Sequence, residues 1–233
     1  MPKKYVIVGG SRGIGLGITQ RLSRCGAAVT VLSRTNEALT GLPNVSHVHF
    51  DVTQDDLHAD RLPDQIDGFA YCPGSINLSS IQSVDSGSMV EDFRLNVVGA
   101  VRSLQSALPA MKAAGASSVV LFSSVAVAQG MRMHTSVAAS KGAVEALART
   151  LAAELAPIVR VNCIAPALTD TPLAARFLSS PQRRTAMCEM YPLKRIGSVD
   201  DVAGLAEFLL SDASSWMTGQ VIGVDGGLAR LRG

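Results

Sequence analysis

Short apolar runs alternate along the chain with longer segments of helical periodicity. Seven of these runs are too short for free helices and are rich in β-branched residues, as is typical of buried strands. They cover residues 5–8, 27–32, 45–50, 66–71, 118–122, 159–165 and 220–224. Helical spacing follows the first run up to Ser23 and recurs over 88–113, 136–156 and 200–210. The pattern predicts an α/β fold of the Rossmann type, a doubly wound parallel sheet of seven strands with helices on both faces.

Residues 167–195 interrupt this alternation. They contain Pro172, Pro181 and Pro192 among residues of mixed polarity, and we interpret them as a mobile flap over a functional site. No long Pro-, Ser- or charge-rich linker divides the chain, so we expect residues 1–233 to form a single domain. A β/α barrel is the alternative architecture, but it requires an eighth strand that the pattern lacks.

Composition argues against several classes of function. With 47% apolar residues, the 233-residue chain can bury one sizeable core. Its 21 basic and 19 acidic residues are well mixed and give a net charge of +2, which does not favour nucleic acid or a membrane as a partner. No apolar run approaches the roughly 20 residues that span a bilayer, and the N-terminus has no signal-peptide pattern. We therefore expect a cytoplasmic protein.

The cysteines indicate neither a disulfide framework nor a metal site. Cys25, Cys72, Cys163 and Cys188 are far apart, and none forms a C-x-x-C pair or has a histidine at ligand spacing. Four reduced thiols fit the cytoplasmic location, and we expect no metal cofactor.

A glycine-rich turn joins the first strand to the first helix. It comprises Gly9, Gly10, Ser11, Arg12, Gly13, Ile14 and Gly15. Glycine permits backbone geometry that a Cβ forbids, and the first N–H groups of the helix point into the crevice, which suits a pyrophosphate. The spacing of Gly9, Gly13 and Gly15 differs from the commoner G-x-G-x-x-G and lacks the Lys-Ser/Thr end of a P-loop. By itself the turn is therefore also compatible with a flexible loop that binds nothing.

An arginine stands where the second strand ends. An acidic residue at this place favours NAD because it binds the ribose hydroxyl, but the sequence has Ser33-Arg34 instead. Arg12 lies in the glycine turn, and two converging guanidinium groups match the charge and geometry of a 2′-phosphate. The sequence thus indicates NADP(H) as the cofactor, with two solvated surface arginines as the alternative.

The remaining strand ends carry further candidate residues. These are Asp51 and Val52 after the third strand, Cys72, Pro73 and Gly74 after the fourth, Ser124 after the fifth and Pro166 after the sixth. Because the carboxyl ends of parallel strands share one edge of the sheet, we expect them to face the same crevice as the glycine turn. The Asp51 carboxylate has two possible partners, an adenine amino group or the backbone of a turn or helix.

Motifs along nearly the whole chain resemble the short-chain dehydrogenase/reductase family. They are the turn at 8–15, Asp51-Val52 as an adenine contact, the helix asparagine Asn96, the catalytic serine Ser124, Ser140-Lys141 ending a Tyr-x-x-x-Lys signature, Asn162 to Pro166 beside the nicotinamide, and 219–227. Thr169 and Thr171 fall where the family contacts the nicotinamide and the phosphates, whereas Cys-Pro-Gly at 72–74 replaces the usual Asn-Ala-Gly. The resemblance implies that Ser124, Lys141 and Asn96 are catalytic and that Lys141 also binds the cofactor ribose.

The tyrosine of that signature is missing. Four residues before Lys141 the chain has Val137. In the family the tyrosine gives a proton to the substrate oxygen as hydride reaches the carbonyl carbon, and valine has no such proton. His134, seven residues before Lys141, is one candidate for this role, although a surface histidine before the helix is the alternative. Tyr71, Tyr191 and a bound water are the other candidates.

Together these features predict an NADP(H)-dependent oxidoreductase with an atypical active site. Its substrate is expected to be a small carbonyl compound, alcohol or activated alkene. The alternative is a catalytically weak or inactive NADP(H)-binding protein, either a sensor or the partner of a complete homologue in a hetero-oligomer. Apolar positions over 88–113 and 136–156 exceed what one sheet face needs and predict a homodimer or homotetramer.

Overall fold

The strands form one parallel sheet in the computed structural model, which describes residues 2–231. The strands are β1 (Lys4–Val8), β2 (Ala28–Ser33), β3 (Val45–His49), β4 (Gly68–Tyr71), β5 (Ser117–Phe122), β6 (Val159–Pro166) and β7 (Val221–Val224). Neighbouring strands are parallel, in the order β3-β2-β1-β4-β5-β6-β7. The winding reverses between β1 and β4, which makes this edge the place where ligands gather in such sheets. The predicted seven-stranded, doubly wound sheet is thus confirmed.

Helices cover both faces of the sheet. They are α1 (Gly13–Arg24), α2 (Ser86–Phe93), α3 (Gly99–Ala113), α4 (Val125–Gln129), α5 (Thr135–Leu155), α6 (Pro181–Glu189) and α7 (Val199–Leu210). The connections after β2 and β3 contain only short 3₁₀ turns, Glu37–Leu39 and Ala59–Arg61. Within residues 2–231, no helix combines the length and the apolar character needed to cross a membrane.

Two apolar cores hold the layers together. On one face, α3 and α5 bury small and branched side chains such as Ala107 and Val144 against Phe69 and Leu121 of the sheet. On the other face, α1 and α7 pack on the sheet through residues such as Ile18 and Leu209. The central strands are buried on both sides, which explains why their sequences are continuously apolar instead of alternating.

Two predicted elements differ in detail from the structure. The helix predicted over 88–113 is interrupted by a π-helical turn at Arg94–Val98, between α2 and α3. The strand predicted from Ile66 begins only at Gly68, because the Ile66 N–H donates to Ala110 of α3 instead of joining the ladder. Ile66 is nevertheless fully buried, so its apolar character indicates the core without indicating the strand.

The segment predicted to be a flap contains helical structure that the sequence pattern did not indicate. A 3₁₀ turn at Pro172–Phe177 and α6 each begin with a proline, where its missing N–H costs nothing. The side-chain oxygen of Thr171 caps the 3₁₀ turn, and that of Ser180 caps α6. Ala174, Leu178, Tyr191 and Ile196 form a small apolar core of the segment's own. The mobility of this segment stays a prediction.

Arg160 on β6 fastens the end of α7 to the sheet. Its guanidinium donates to the backbone carbonyls of Leu209, Ser211, Ser214 and Met217, at 2.8 to 3.1 Å. Carbonyls at a helix end have no partner within the helix, so one planar donor group satisfies several of them.

We expect Arg160→Lys to destabilise the fold although it keeps the charge. An ammonium cannot reach these carbonyls together, and the loss of two or more charge-assisted hydrogen bonds should lower the free energy of unfolding by about 2–4 kcal/mol. Denaturant unfolding measures the change. Arg149→Lys is the control, because exposed Arg149 lies only 3.8 Å from Glu145 in a surface pair and should change stability by less than about 0.5 kcal/mol. Equal stability of both variants would contradict the assignment.

Candidate active site

A cavity of about 380 Å³ opens at the carboxyl ends of β4, β5 and β6. It brings together nine of the site residues predicted from the sequence, Ile14, Cys72, Gly74, Ser124, His134, Lys141, Pro166, Thr169 and Thr171, and Val137 lies among them. The rest of its lining is largely apolar and includes Ile76, Leu78, Met131, Leu168, Leu173, Phe177, Met187 and Met190. The ends of β4, β5 and β6 thus share one cavity, and its outer wall comes from the 167–191 segment. That the glycine turn, Arg34 and Asp51 face the same crevice stays a prediction.

The glycine turn is packed so closely that side chains are excluded. Gly9 and Gly13 have φ values of +75° and +51°, which glycine adopts without strain. A Cβ on Gly15 would lie 2.3 Å from the Gly9 carbonyl oxygen. Thr19 of α1 donates to the carbonyls of Gly10 and Gly15 and ties the turn to the helix. A bare backbone at the start of a helix fits the close approach of a pyrophosphate.

Other cofactor candidates surround this turn. Pro73 packs against Gly9, where an added Cβ would lie 3.1 Å from the proline ring. Thr171 lies on the other side, 3.5 Å from a Cβ placed on Gly13. The Ser11 hydroxyl is 3.3 Å from that of Thr35, just beyond β2. The turn thus sits between the end of β4 and the flap segment.

Arg12 and Arg34 are exposed beside the turn, and Asp51 has local partners. The Asp51 carboxylate accepts from the backbone and hydroxyl of Thr53 and lies 3.8 Å from Arg34. The hydrogen bonds from Thr53, more than the Arg34 charge, lower the pKa of Asp51 below its usual value. The turn at Thr53 is thus one partner of this carboxylate, and its contact with an adenine amino group stays a prediction. Val52 faces a separate shallow pocket of about 190 Å³.

Val137 and Lys141 lie one turn apart on the same face of α5, and both are buried. The Lys141 Nζ donates to the carbonyl oxygen of Phe122 at 2.9 Å, at the end of β5. Burial lowers the pKa of Lys141 to about 8, against smaller opposite effects of neighbouring groups. Ser124 caps α4, and its oxygen accepts from the Ala126 N–H at 3.2 Å. The hydroxyl proton of Ser124 is therefore available to an acceptor in the cavity.

At the π-helical turn, the side chain of Asn96 points into the protein interior, behind the cavity. Its amide nitrogen donates to the Asp92 carbonyl at 2.8 Å and to the Ser75 hydroxyl at 3.3 Å. Its Oδ1 is buried and has no hydrogen-bond partner among the described residues. A Cβ on Gly74 would lie 3.3 Å from this oxygen and 3.2 Å from the Lys141 Nζ. The missing side chain at Gly74 leaves a small polar gap between the two groups.

The structure separates the candidates for the missing proton donor. His134 lines the cavity, with Nδ1 2.8 Å from the Arg132 carbonyl oxygen. Tyr191 also lines it, and its hydroxyl accepts from the Leu168 N–H at 3.3 Å. The hypothesis that Tyr71 is the proton donor was wrong. Its hydroxyl donates to the Leu95 carbonyl inside the core, and burial raises its pKa.

One buried group behind the cavity is not among the site residues predicted from the sequence. Asp92 of α2 is 1% exposed and accepts hydrogen bonds from Ser75, Asn77 and Ser136. A signal was present, because Asp92 lies between the apolar positions 89, 90, 93 and 97 of the helix predicted over 88–113. A charged residue on such a face needs buried partners.

Comparisons with known proteins agree with this arrangement. A family model described as enoyl-(acyl carrier protein) reductase matches residues 8–229. A tropinone reductase homolog of Arabidopsis thaliana is 32% identical over 97% of this chain and 91% of the relative. The structure of a short-chain type dehydrogenase/reductase from Mycobacterium ulcerans has a TM-score of 0.89 at 36% identity, covering 99% of this chain and 91% of that chain. The RhlG/NADP active-site complex of Pseudomonas aeruginosa has a TM-score of 0.89 at 27% identity, over 97% and 96% of the two chains.

A glycine turn at the switch point of a doubly wound sheet is the arrangement typical of dinucleotide-binding proteins, and a buried lysine lies at the neighbouring strand end. The chain belongs to the short-chain dehydrogenase/reductase family, as the matches over nearly its whole length show. The predicted family is thereby confirmed, and with it the broader class of NAD(P)-dependent oxidoreductases, whereas the preference for NADP(H) stays a prediction.

Proposed function

We propose that the protein reduces a small, apolar carbonyl compound with NADPH and that Lys141 takes the place of the family's tyrosine as proton donor. The observation that carries this proposal is the cavity itself, in which Lys141 and Ser124 provide polar groups among largely apolar walls. Such walls favour an uncharged substrate with few hydroxyl groups, because a polar group buried without a partner loses its hydration.

The non-catalytic alternative is not favoured. The family model is described as a reductase, and the Arabidopsis relative that matches 97% of this chain carries the name of a reductase homolog. The cavity also remains open above Ser124 instead of being filled by neighbouring side chains. A protein that only binds the cofactor would need no additional space for a substrate.

The preference for NADP(H) rests on Arg12 and Arg34. Both are exposed beside the glycine turn, and no acidic side chain follows β2 directly. The bare backbone at Gly9 and Gly15 fits the pyrophosphate, and the two guanidinium groups suit the 2′-phosphate. The solved relative from Pseudomonas aeruginosa, with which this chain shares 27% identity, is an NADP complex.

In the proposed reaction the bound cofactor supplies hydride to the carbonyl carbon. Ser124 orients the substrate, because its hydroxyl proton is free to bond the carbonyl oxygen. Lys141 has two N–H groups besides the one held by Phe122, and one of them transfers its proton to the oxygen as negative charge develops there. The N–H bond breaks, the O–H bond of the alcohol forms, and the lysine is left neutral. A lysine with a pKa of about 8 is suited to this role at neutral pH.

The cofactor preference predicts the effect of Arg34→Asp. We expect the wild type to bind NADPH at least about tenfold more tightly than NADH, and the variant to reverse the order, because the aspartate repels the 2′-phosphate and accepts from the ribose hydroxyls. Titration calorimetry measures the four affinities. Arg24→Asp makes the same charge change at the C-terminal end of α1, away from the glycine turn, and should leave the cofactor preference intact. Equal affinity of the wild type for both cofactors would contradict the proposal.

The role of Lys141 predicts a pattern across three variants. Lys141→Met should lower the turnover of the wild type's own substrate by about 10²–10⁴, the usual contribution of a general acid. His134→Ala should retain turnover within about threefold if this histidine gives no proton. Val137→Tyr should lower this turnover, because the added ring would occupy part of the cavity that the proposal assigns to the substrate. Stopped-flow NADPH oxidation against ketones, aldehydes and enones measures each variant, with cofactor affinity checked in parallel.

Other outcomes of that experiment identify the alternatives. If His134→Ala abolishes turnover, the histidine is the donor and the proposal for Lys141 fails. If Val137→Tyr raises the turnover of simple ketones, the site merely lacks its tyrosine. Cofactor binding without turnover in the wild type and in every variant would establish a binding protein.

We also propose that the protein is a homodimer or homotetramer. Val90, Phe93 and Val98, on α2 and the π-helical turn, are between 39% and 51% exposed. They form part of the long helical segment whose apolar excess predicted self-association, and nothing in the described chain covers them. A second copy of the same surface is the economical partner, because a twofold axis buries both patches at once.

Phe93→Glu should therefore weaken the assembly. We expect a dimer or tetramer by light scattering at micromolar concentration and a shift to smaller species in the variant, because a buried unpaired carboxylate opposes association. Ile81→Glu, in a loop and 77% exposed, is the control that should leave the mass unchanged. A monomeric wild type would contradict the proposal.

A further inference from the structure

Asp92 is a buried acidic residue that the proposed reaction does not use directly. It is 1% exposed, and its Oδ1 accepts from the Ser75 hydroxyl and, at 2.7 Å, from the amide of Asn77. Its Oδ2 accepts from the Ser136 hydroxyl. All these partners are neutral, and the described residues place no cation within ion-pair distance of Asp92. Three neutral donors thus satisfy the two carboxylate oxygens in the interior.

These bonds join two walls of the cavity. Residues 75–79, the loop after β4, contribute Ser75, Ile76 and Leu78 to its lining. Ser136 stands in the first turn of α5, next to Val137. The same two segments also meet where the Ser79 N–H donates to the Met133 carbonyl at 2.7 Å. Asp92 thus holds the 75–79 loop against the helix that carries Lys141.

Asp92 also lies behind Lys141, with Asn96 between them. The Asn96 amide donates to the Asp92 carbonyl at 2.8 Å, and its free Oδ1 faces the gap at Gly74 into which the Lys141 Nζ points. In this dry interior a negative charge acts over a longer range than it does in water.

The other titratable groups around Lys141 do not supply that charge. Cys72 at the end of β4 and Cys163 on β6 are buried, and burial raises the pKa of each thiol to about 12, so both are neutral at physiological pH. Glu145, one turn further along α5, accepts from Ser123 and lies 3.8 Å from Arg149. Asp92 is the remaining neighbour that raises the pKa of Lys141, an effect smaller than the lowering by burial.

We propose that Asp92 is a positioning residue of this active site, which clamps the 75–79 loop to α5 and provides the buried negative charge that favours the protonated form of Lys141. The importance of that protonated form rests on the proposed function, but the clamp and the charge do not require turnover. Asp92→Asn removes the charge, keeps the shape and cannot accept from all three donors at once.

The first test follows the titration of Lys141 by NMR in the protein without cofactor. The chain has five lysines, so the side-chain signal of Lys141 in a lysine-labelled sample is assigned through Lys141→Arg. We expect the wild-type signal to titrate near pH 8 and the Asp92→Asn signal to titrate at lower pH, because the ammonium form loses its countercharge. Glu91→Gln, the same charge change on a neighbouring side chain that is 61% exposed, should leave the titration unchanged.

The second test measures hydrogen exchange of the 75–79 backbone. Asp92→Asn and Ser136→Ala should each speed its exchange by about five- to tenfold, the effect of losing one buried hydrogen bond, while Glu91→Gln should not. Ser136→Ala keeps the charge, so it should leave the Lys141 titration in place. Asp92→Ser is measured as a second neutral variant, so that the result does not depend on whether one particular variant folds.

The outcomes are separate from those of the activity experiment. An unshifted Lys141 titration in folded Asp92→Asn or Asp92→Ser would overturn the charge assignment, and unchanged exchange in Ser136→Ala would overturn the clamp. An inactive wild type with the expected titration and exchange would refute the proposed function and leave the role of Asp92 standing.

Discussion

The burial of one ammonium group at the carboxyl edge of the sheet constrains the surrounding structure. Lys141 is 8% exposed, and its Nζ has one hydrogen-bond partner in the described chain, the Phe122 carbonyl. A charge in such a place loses most of its hydration, and its neighbours must compensate. The end of β5 supplies the carbonyl, and Gly74 supplies space by having no side chain. Strand, loop and helix are thereby arranged around a single charged atom.

Val137 connects this constraint to the chemistry. A tyrosine one turn before Lys141 would place a polar hydroxyl in the cavity wall, whereas valine gives the wall only carbon atoms. The substitution thus removes one proton donor and makes the surroundings of the lysine less polar. A less polar environment lowers the pKa of an ammonium toward neutrality, which is the direction a lysine must move to act as an acid. In the proposed function, the absence of a phenol and the use of Lys141 as proton donor therefore have the same origin.

The sequence was sufficient for the fold and for the edge of the sheet where the site lies. Apolar runs and glycines report local conformation directly, so the strands and the turn at Gly9–Gly15 were predictable within a few residues. The π-helical turn at Asn96 was not, because it preserves apolar spacing while shifting the direction of one side chain. Tyr71 and Asp92 show the same limit, since side-chain partners distant in sequence decide whether a strand-end phenol or a helix carboxylate faces the cavity or the core.

The sheet positions the groups proposed to hold the cofactor, but it does not position the outer walls of the cavity. The sequence therefore indicates the cofactor more directly than the substrate. Groups proposed to hold the cofactor come from strand ends and helix starts, whose positions follow from the sheet. The outer walls come from the 75–79 loop, residues 131–137 and the flap segment, which meet through contacts such as that of Arg176 with the Ile76 carbonyl. The shape of these walls depends on contacts between side chains that are far apart in sequence. Their apolar character is the one property of the walls that the composition of these segments predicts. The outer walls of the cavity are therefore set by contacts between segments that the sheet does not position.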